Sequence, residues 1–302
     1  MKRVVLGAGH VYQYIPDKYL IEQPECVFRS VSDLKKGLRV PFDSSTNAVT
    51  TANRMGIGVK DVLRRWDISK DIGTSWGSMV DAIFMASLED IDYKELVRPI
   101  PVMTEIACMA LEYYADHIAI YGASKAYGQC VVGGEIGTDK YGQSFGIAGT
   151  SDVFLVGKDW FRVIDVKSDG AIMRHGQKGA NPGYAVLGEY NGMPSQVLTK
   201  GISLKNDYGK SLIGIYDVDG NAIDDCDLNI YSFQITLYAL LATKFKGFWH
   251  GDEWVSLEGK VYQGGAIAHY DGRDGLFHHI PVRREHWWSP VGEYVKKWKS
   301  IQ

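Results

Sequence analysis

The chain has 302 residues, enough for one large domain or two small ones around a buried core, and its 45% hydrophobic and 23% charged residues are ordinary for a soluble globular protein. A net charge of −3 counts against binding nucleic acid by bulk charge and leaves that role to local fields. The four cysteines, Cys26, Cys108, Cys130 and Cys226, form no Cys-x-x-Cys pair, no apolar run reaches the ~18–20 residues of a membrane span, and the first residues lack a secretory apolar stretch. The expectation is a cytoplasmic protein with reduced, buried thiols and no membrane partner.

Residues 1–45 mix short apolar runs with Gly, Pro and Asp and read as strands and loops. Residues 57–66 have Val59, Val62, Leu63 and Trp66 on one helical face. Residues 75–90 repeat the pattern with Val80, Ile83, Phe84 and Leu88, and residues 102–120 with Ile106, Met109, Ala110, Tyr113 and Ile118. The period then changes to two. Residues 130–136, 145–156 and 160–167 read as strands, with Gly157-Lys158-Asp159 turning between the last two. Residues 170–230 are rich in Gly, Asn and Asp, with a brief strand at 211–218. A helix follows at 229–244, then strands at 264–270 and in LFHHIPV, and an amphipathic basic helix near 290–300. This order predicts an α/β fold, a mixed central β-sheet flanked by helices. Residues 1–74 read as an N-terminal strand and helix segment packed on a core of 75–302, which carries an insertion at about 170–228.

The stretch GTSDVFLVGKDWFRVIDVKSDG places Asp152 and Asp165 on adjacent apolar strands, with Lys167 two residues after the second acid and on its face. Two facing carboxylates repel unless a cation lies between them. Carboxylate and carbonyl oxygens suit Mg²⁺ or Mn²⁺, and an ammonium alongside can orient a water or offset a phosphate. Together they make a phosphodiester hydrolysis site. From the hairpin alone a second reading stays open, in which Asp152 caps its turn and Asp165–Lys167 is a solvated pair.

The same residues resemble the signature of the PD-(D/E)XK nuclease superfamily. Gly149-Thr150-Ser151-Asp152 is followed thirteen residues on by Asp165-Val166-Lys167-Ser168, the form of the RecB-like exonuclease branch. Glu135 lies on the strand upstream. Gln234 and Tyr238, four apart in YSFQITLYALL, resemble the Gln-x-x-x-Tyr helix that follows the hairpin in that branch. Gly77-Ser78-Met79-Val80-Asp81 matches its Gly-x-x-Val-His pattern with Asp81 in place of His. The likeness spans roughly residues 75–280, more loosely SVSDLKKGL at 31–38, and is nearest to phage and mitochondrial-type exonucleases. It implies a restriction-endonuclease-like core. Asp152, Asp165 and the Val166 carbonyl would ligate Mg²⁺ or Mn²⁺, with Asp81 and Glu135 as further ligands. Lys167 would position the attacking water, and Gln234 would steady the site. Tyr238, Ser168, Arg174 and Lys178 would touch DNA. The implied activity is metal-dependent DNA exonuclease, hydrolysing from single-stranded or duplex ends in phage-type recombination, replication or DNA processing, in the host cytoplasm if viral. Restriction or junction-cutting endonucleases share the hairpin, and a non-catalytic DNA-binding module shares the fold. A homo-oligomer or a single-strand annealing or binding protein is the further partner the resemblance admits. The cysteine motif of its cluster-bearing relatives is absent, so no iron–sulfur cluster is expected. About 65 residues separate Lys167 from Gln234, more than the family usually has. That insert carries Arg174, His175, Lys178, Lys200, Lys205 and Lys210, and reads either as a loop over the DNA path or as a solvated hairpin.

Other motifs lead elsewhere. RVVLGAGHVY starts like a dinucleotide-binding turn, but Tyr12 stands where the third glycine is needed. His278-His279 should alternate across a strand, and His286 before Trp287-Trp288 reads as part of an aromatic cluster, with core packing favoured over base stacking for the Trp pair. Arg54, Lys60, Arg64, Arg65 and Lys70 form one basic run and Lys296, Lys297 and Lys299 another, each a solvated face or a phosphate track.

Overall fold

The computed structural model describes residues 3–6, 12–15, 26–41, 43–68, 121–123, 125–167, 186–190, 193–197, 211–271 and 276–301. The helices expected at 75–90 and 102–120, with Asp81 and Cys108, lie outside the described residues, as do Lys70, Ser168, Arg174, His175, Lys178, Lys200, Lys205 and Lys210.

The protein is mixed α/β, with a central mixed sheet flanked by helices. Its middle is three long strands, β4 (Lys125–Thr138), β5 (Ser144–Val156) and β6 (Trp160–Lys167), joined antiparallel. The eight-stranded sheet runs β12 (Glu253–Ser256), β11 (Gly247–His250), β4, β5, β6, β13 (Val261–Asp271), β14 (Leu276–Val282), with β3 (Val27–Ser30) also paired to β5. Two pairings are parallel, β13 on β6 and β3 on β5. Small antiparallel hairpins lie outside it: β1 (Arg3–Leu6) with β2 (Tyr12–Ile15), β7 (Val186–Tyr190) with β8 (Met193–Val197), and β9 (Ser211–Tyr216) with β10 (Ala222–Asp224). RVVL therefore enters an antiparallel hairpin, not a parallel dinucleotide-binding unit.

Helices α1 (Val31–Gly37), α2 (Ser44–Met55), α3 (59–68), α4 (Asp227–Phe245) and α5 (Arg284–Ile301) complete the described elements. Ser30 caps α1 by accepting from the Asp33 N–H, and Asp43 caps α2 through Ser45 and Thr46. On α3 only Val62 is buried, packed with Ala48 and Ala52 of α2, while Val59 and Leu63 are exposed. The expected apolar face is thus narrower than its spacing suggests. Arg54, Lys60, Arg64 and Arg65 are exposed on this helical pair.

Helix α4 is apolar nearly all round, and it is buried accordingly. It lies across one face of the sheet, flanked by α1 and α5. Ile235, Phe233, Leu237 and Leu241 join Ile147, Phe154, Phe161, Val163 and Ile267 from the strands, with Leu34 and Leu38 from α1 and Trp287 and Val291 from α5. Trp287 is thus core, Trp288 stacks on Tyr262, and burial pulls the pKa of His286 down. His279 is buried against Tyr121 while His278 is partly exposed, as alternation requires. The last helix begins six residues before the expected start because Trp287 and Val291 anchor its first turns, so Pro290 sits inside it. The described thiols are buried, and burial pushes those of Cys26 and Cys226 up to about 12. No helix among the described residues is long and apolar enough to cross a membrane.

Candidate active site

The β5–β6 ladder supplies the site by stopping short of it. Backbone pairing runs Val156↔Phe161, Leu155↔Arg162, Phe154↔Val163 and Val153↔Ile164. Beyond that, the Asp152 carboxylate takes the place of a ladder carbonyl: its Oδ2 accepts the Val166 N–H at 2.8 Å. The two strands separate there, and Asp165 and Lys167 project into the opening beneath α4. Asp165 is 1% exposed. A carboxylate buried that deeply must be charge-compensated. Lys167 Nζ supplies the charge, 2.6 Å from Asp165 Oδ2, 2.9 Å from the Val166 carbonyl it donates to, and 3.9 Å from Asp152 Oδ2. The contact to Asp165 is an ion pair whose angles do not make a hydrogen bond, so Oδ2 retains unused accepting capacity.

Helix α4 closes the site from above. Gln234 donates from Nε2 to Asp165 Oδ1 at 3.4 Å and to the Tyr238 hydroxyl at 3.2 Å, while its Oε1 accepts from Lys35 Nζ at 2.8 Å. The charges fix this orientation. A reversed amide would set its oxygen against the Asp165 carboxylate and its NH₂ against an ammonium. Burial pushes the Tyr238 hydroxyl well above the usual phenol range, and the Asp165 and Asp152 charges push it further. Both ammoniums face one ring: Lys167 Nζ lies 5.1 Å and Lys35 Nζ 5.3 Å from the Tyr231 centroid. Two residues before Asp152 on β5, the Thr150 hydroxyl lies 3.0 Å from that of Tyr12.

Gly149 lets these elements meet. A Cβ there would lie 2.6 Å from Tyr238 Cε1 and 2.8 Å from Val31 Cγ2, inside the contact distance of both α4 and α1. Gly149→Ala should therefore shift both helices off β5, cost about 1–3 kcal/mol of stability and loosen the Gln234 and Lys35 contacts. Urea unfolding checks the first effect. A variant as stable as the wild type would show that the helices give way freely.

The structure brings together Asp152, Asp165, Val166, Lys167, Gln234 and Tyr238. It does not bring Glu135 to them. Glu135 sits opposite Gly146, six residues along β5 from Asp152, or about 20 Å at the rise of a strand. Its neighbour Gly134 faces Phe245 of α4, so Glu135 points to the other face, where it accepts from Ser144 Oγ at 2.9 Å. Position on the strand before the hairpin does not make a site residue when the strand overruns the site by this length. The sequence reading missed Lys35 and Tyr231. Lys35 lies in SVSDLKKGL, and its distance from the hairpin hid it. Tyr231 lies one turn before Gln234 on α4, and that spacing was the available signal.

The oxygens fit a hard divalent cation. Asp165 Oδ2, Asp152 Oδ2 and the Val166 carbonyl converge on one positive charge, and one of them has accepting capacity to spare. The described residues contain no group of three His, Cys, Asp or Glu side chains able to hold a metal. Mg²⁺ needs no such group, because it keeps several waters and takes one or two carboxylates.

No protein-family model matches the chain, and no curated protein matches it. Among solved structures, a chain described as "Crystal structure of SSO0001" aligns with a TM-score of 0.27 and 10% identity, over 74% of this chain and 75% of that one. A likeness that slight fixes neither fold family nor function.

Proposed function

We propose that the protein is a metal-dependent deoxyribonuclease of the PD-(D/E)XK superfamily, an exonuclease of the RecB-like kind. One observation carries the reading. Gln234, 69 residues beyond Asp165 in sequence, donates to the carboxylate that also pairs with Lys167. The acid-bearing hairpin and the Gln-x-x-x-Tyr helix of the resemblance thus belong to one cluster of side chains. A surface ion pair would need no glutamine from a buried helix and no carboxylate at 1% exposure.

In this reading Asp152, Asp165 and the Val166 carbonyl hold Mg²⁺ or Mn²⁺, which when bound supplies Lewis-acid stabilisation of the phosphoryl oxygens. The protein's own groups do the rest. Lys167 holds the attacking water against the phosphorus, in line with the leaving oxygen, and its charge offsets the phosphoryl oxygens. Gln234 keeps Asp165 in one orientation, and Tyr238 keeps Gln234 in its own. Water attack releases a 5′-phosphate end and a 3′-hydroxyl. Glu135 has no part in this scheme.

The test uses end-labelled linear DNA, single-stranded and duplex, beside a closed circle, with Mg²⁺ or Mn²⁺, with EDTA, and with Lys167→Ala. Shortening of linear DNA from an end, dependent on metal and lost in the variant, is the expected result. Cutting of the circle would turn the reading to an endonuclease. A folded protein that cuts none of these with metal would leave the binding-module reading in its place.

A further inference from the structure

We propose that Lys35 is the charge counterweight of the divalent-metal site. Its ammonium weakens binding of the bare ion, so that metal loading is coupled to arrival of a substrate phosphate. This rests on the metal reading above and deepens it.

Four charged groups make the described cluster: the Asp152 and Asp165 carboxylates and the Lys167 and Lys35 ammoniums. They sum to zero. Lys167 is in direct contact with Asp165. Lys35 is not in contact with either acid. Among the described residues its ammonium has no carboxylate within ion-pair distance, and it donates instead to the neutral Oε1 of Gln234. It therefore adds positive potential to the carboxylates without occupying a ligand oxygen. The next cation along, Arg39, is engaged by Asp225 and Asp227, each at 2.6 Å, and contributes less to the site. Burial draws the Lys35 pKa below its usual range, the Asp165 charge holds it up, and the Lys167 charge lowers it again. Two like charges so close are held by the Tyr231 ring that both face.

A divalent ion entering this cluster adds two positive charges beside the two ammoniums already there. A phosphate brought alongside offsets part of that charge. Each ligand then raises the affinity for the other by the same factor. Replacing Lys35 by a neutral side chain removes its repulsion of the ion, so the bare ion binds better and needs less help from the phosphate to load.

Mn²⁺ titration of the full chain, followed by the electron paramagnetic resonance signal of the free ion, reads this without any turnover. Lys35→Met is expected to bind Mn²⁺ at least about tenfold tighter than the wild type. Lys35→Arg is expected to keep the weaker wild-type affinity. Saturating thymidine 5′-monophosphate should tighten Mn²⁺ binding to the wild type, and an affinity it leaves unchanged would overturn the coupling of metal loading to phosphate. Lys35→Gln, whose amide can still donate to Gln234, gives a second neutral variant should the methionine disturb the fold. Neutral variants with unchanged or weaker affinity, beside an Asp165→Asn control that loses Mn²⁺, would overturn the counterweight and leave the metal site standing. Absence of Mn²⁺ binding to the wild type and every variant would overturn the metal reading and the counterweight together.

Discussion

Asp165→Asn is expected to cut metal-dependent DNA cleavage by about a thousandfold while the chain stays folded. The size follows from losing several kcal/mol of charge stabilisation at the phosphoryl group when one anionic ligand becomes neutral. The fold survives because the asparagine keeps the shape of the side chain, and its oxygen can still accept from Gln234 Nε2. What it loses is the ion pair to Lys167, which keeps the Val166 carbonyl at 2.9 Å and Asp152 at 3.9 Å. The stability cost should be about 1–3 kcal/mol, the scale of an interior polar group deprived of its partner. Single-turnover cleavage at saturating Mg²⁺, with circular dichroism on the same sample, separates the two effects. Cleavage within a few fold of the wild type would place the chemistry at some other residues.

Phe154→Ala is expected to have the largest effect on stability, about 3–5 kcal/mol. Phe154 is fully buried, stacked on Phe248 at 4.3 Å and near Phe161 at 6.1 Å between ring centroids. These rings fill the space between α4 and the sheet, two residues from Asp152 on the same strand. Loss of the ring removes both its transfer energy and the packing of Phe248, whose ring also meets Tyr127 edge-to-face at 5.4 Å between centroids. The rigid sheet behind cannot collapse to fill the gap. Equilibrium urea unfolding measures the loss. A cost below about 1 kcal/mol would mean that α4 moves freely into the vacated volume, against its contacts with six strands and both flanking helices.

The hairpin was legible because period-two alternation, the Gly157 turn and the two acids all coincide within 25 residues. The buried helix was legible from its apolar length, and its observed ends, Asp227 and Phe245, lie near the expected 229–244. Helix α1 was not legible. Its seven residues are too few for a periodic signal, and its stability comes from Val31, Leu34 and Leu38 entering the core. Strands β11 and β12 were missed for the same reason, since four residues beside a glycine show no alternation to count. The site followed the same division. Residues near the hairpin could be named from spacing, whereas Lys35 depends on β3 pairing in parallel with β5, a register no local pattern encodes. Glu135 was assigned by position on a strand, and strand length together with side-chain alternation moved it away.

The parallel pairing of β3 with β5 also bears on how the molecule is made. Lys35 and Gln234 are 199 residues apart, and Gln234 and Asp165 are 69 apart. Contacts of that sequence separation form after local ones, because the closure entropy of long loops must be met before they stabilise anything. During synthesis the acid-bearing hairpin emerges well before α4 can cover it. A partly made chain therefore holds Asp152, Asp165 and Lys167 without Gln234 to orient them. The charged cluster is therefore completed only when the last third of the chain has folded back onto the hairpin.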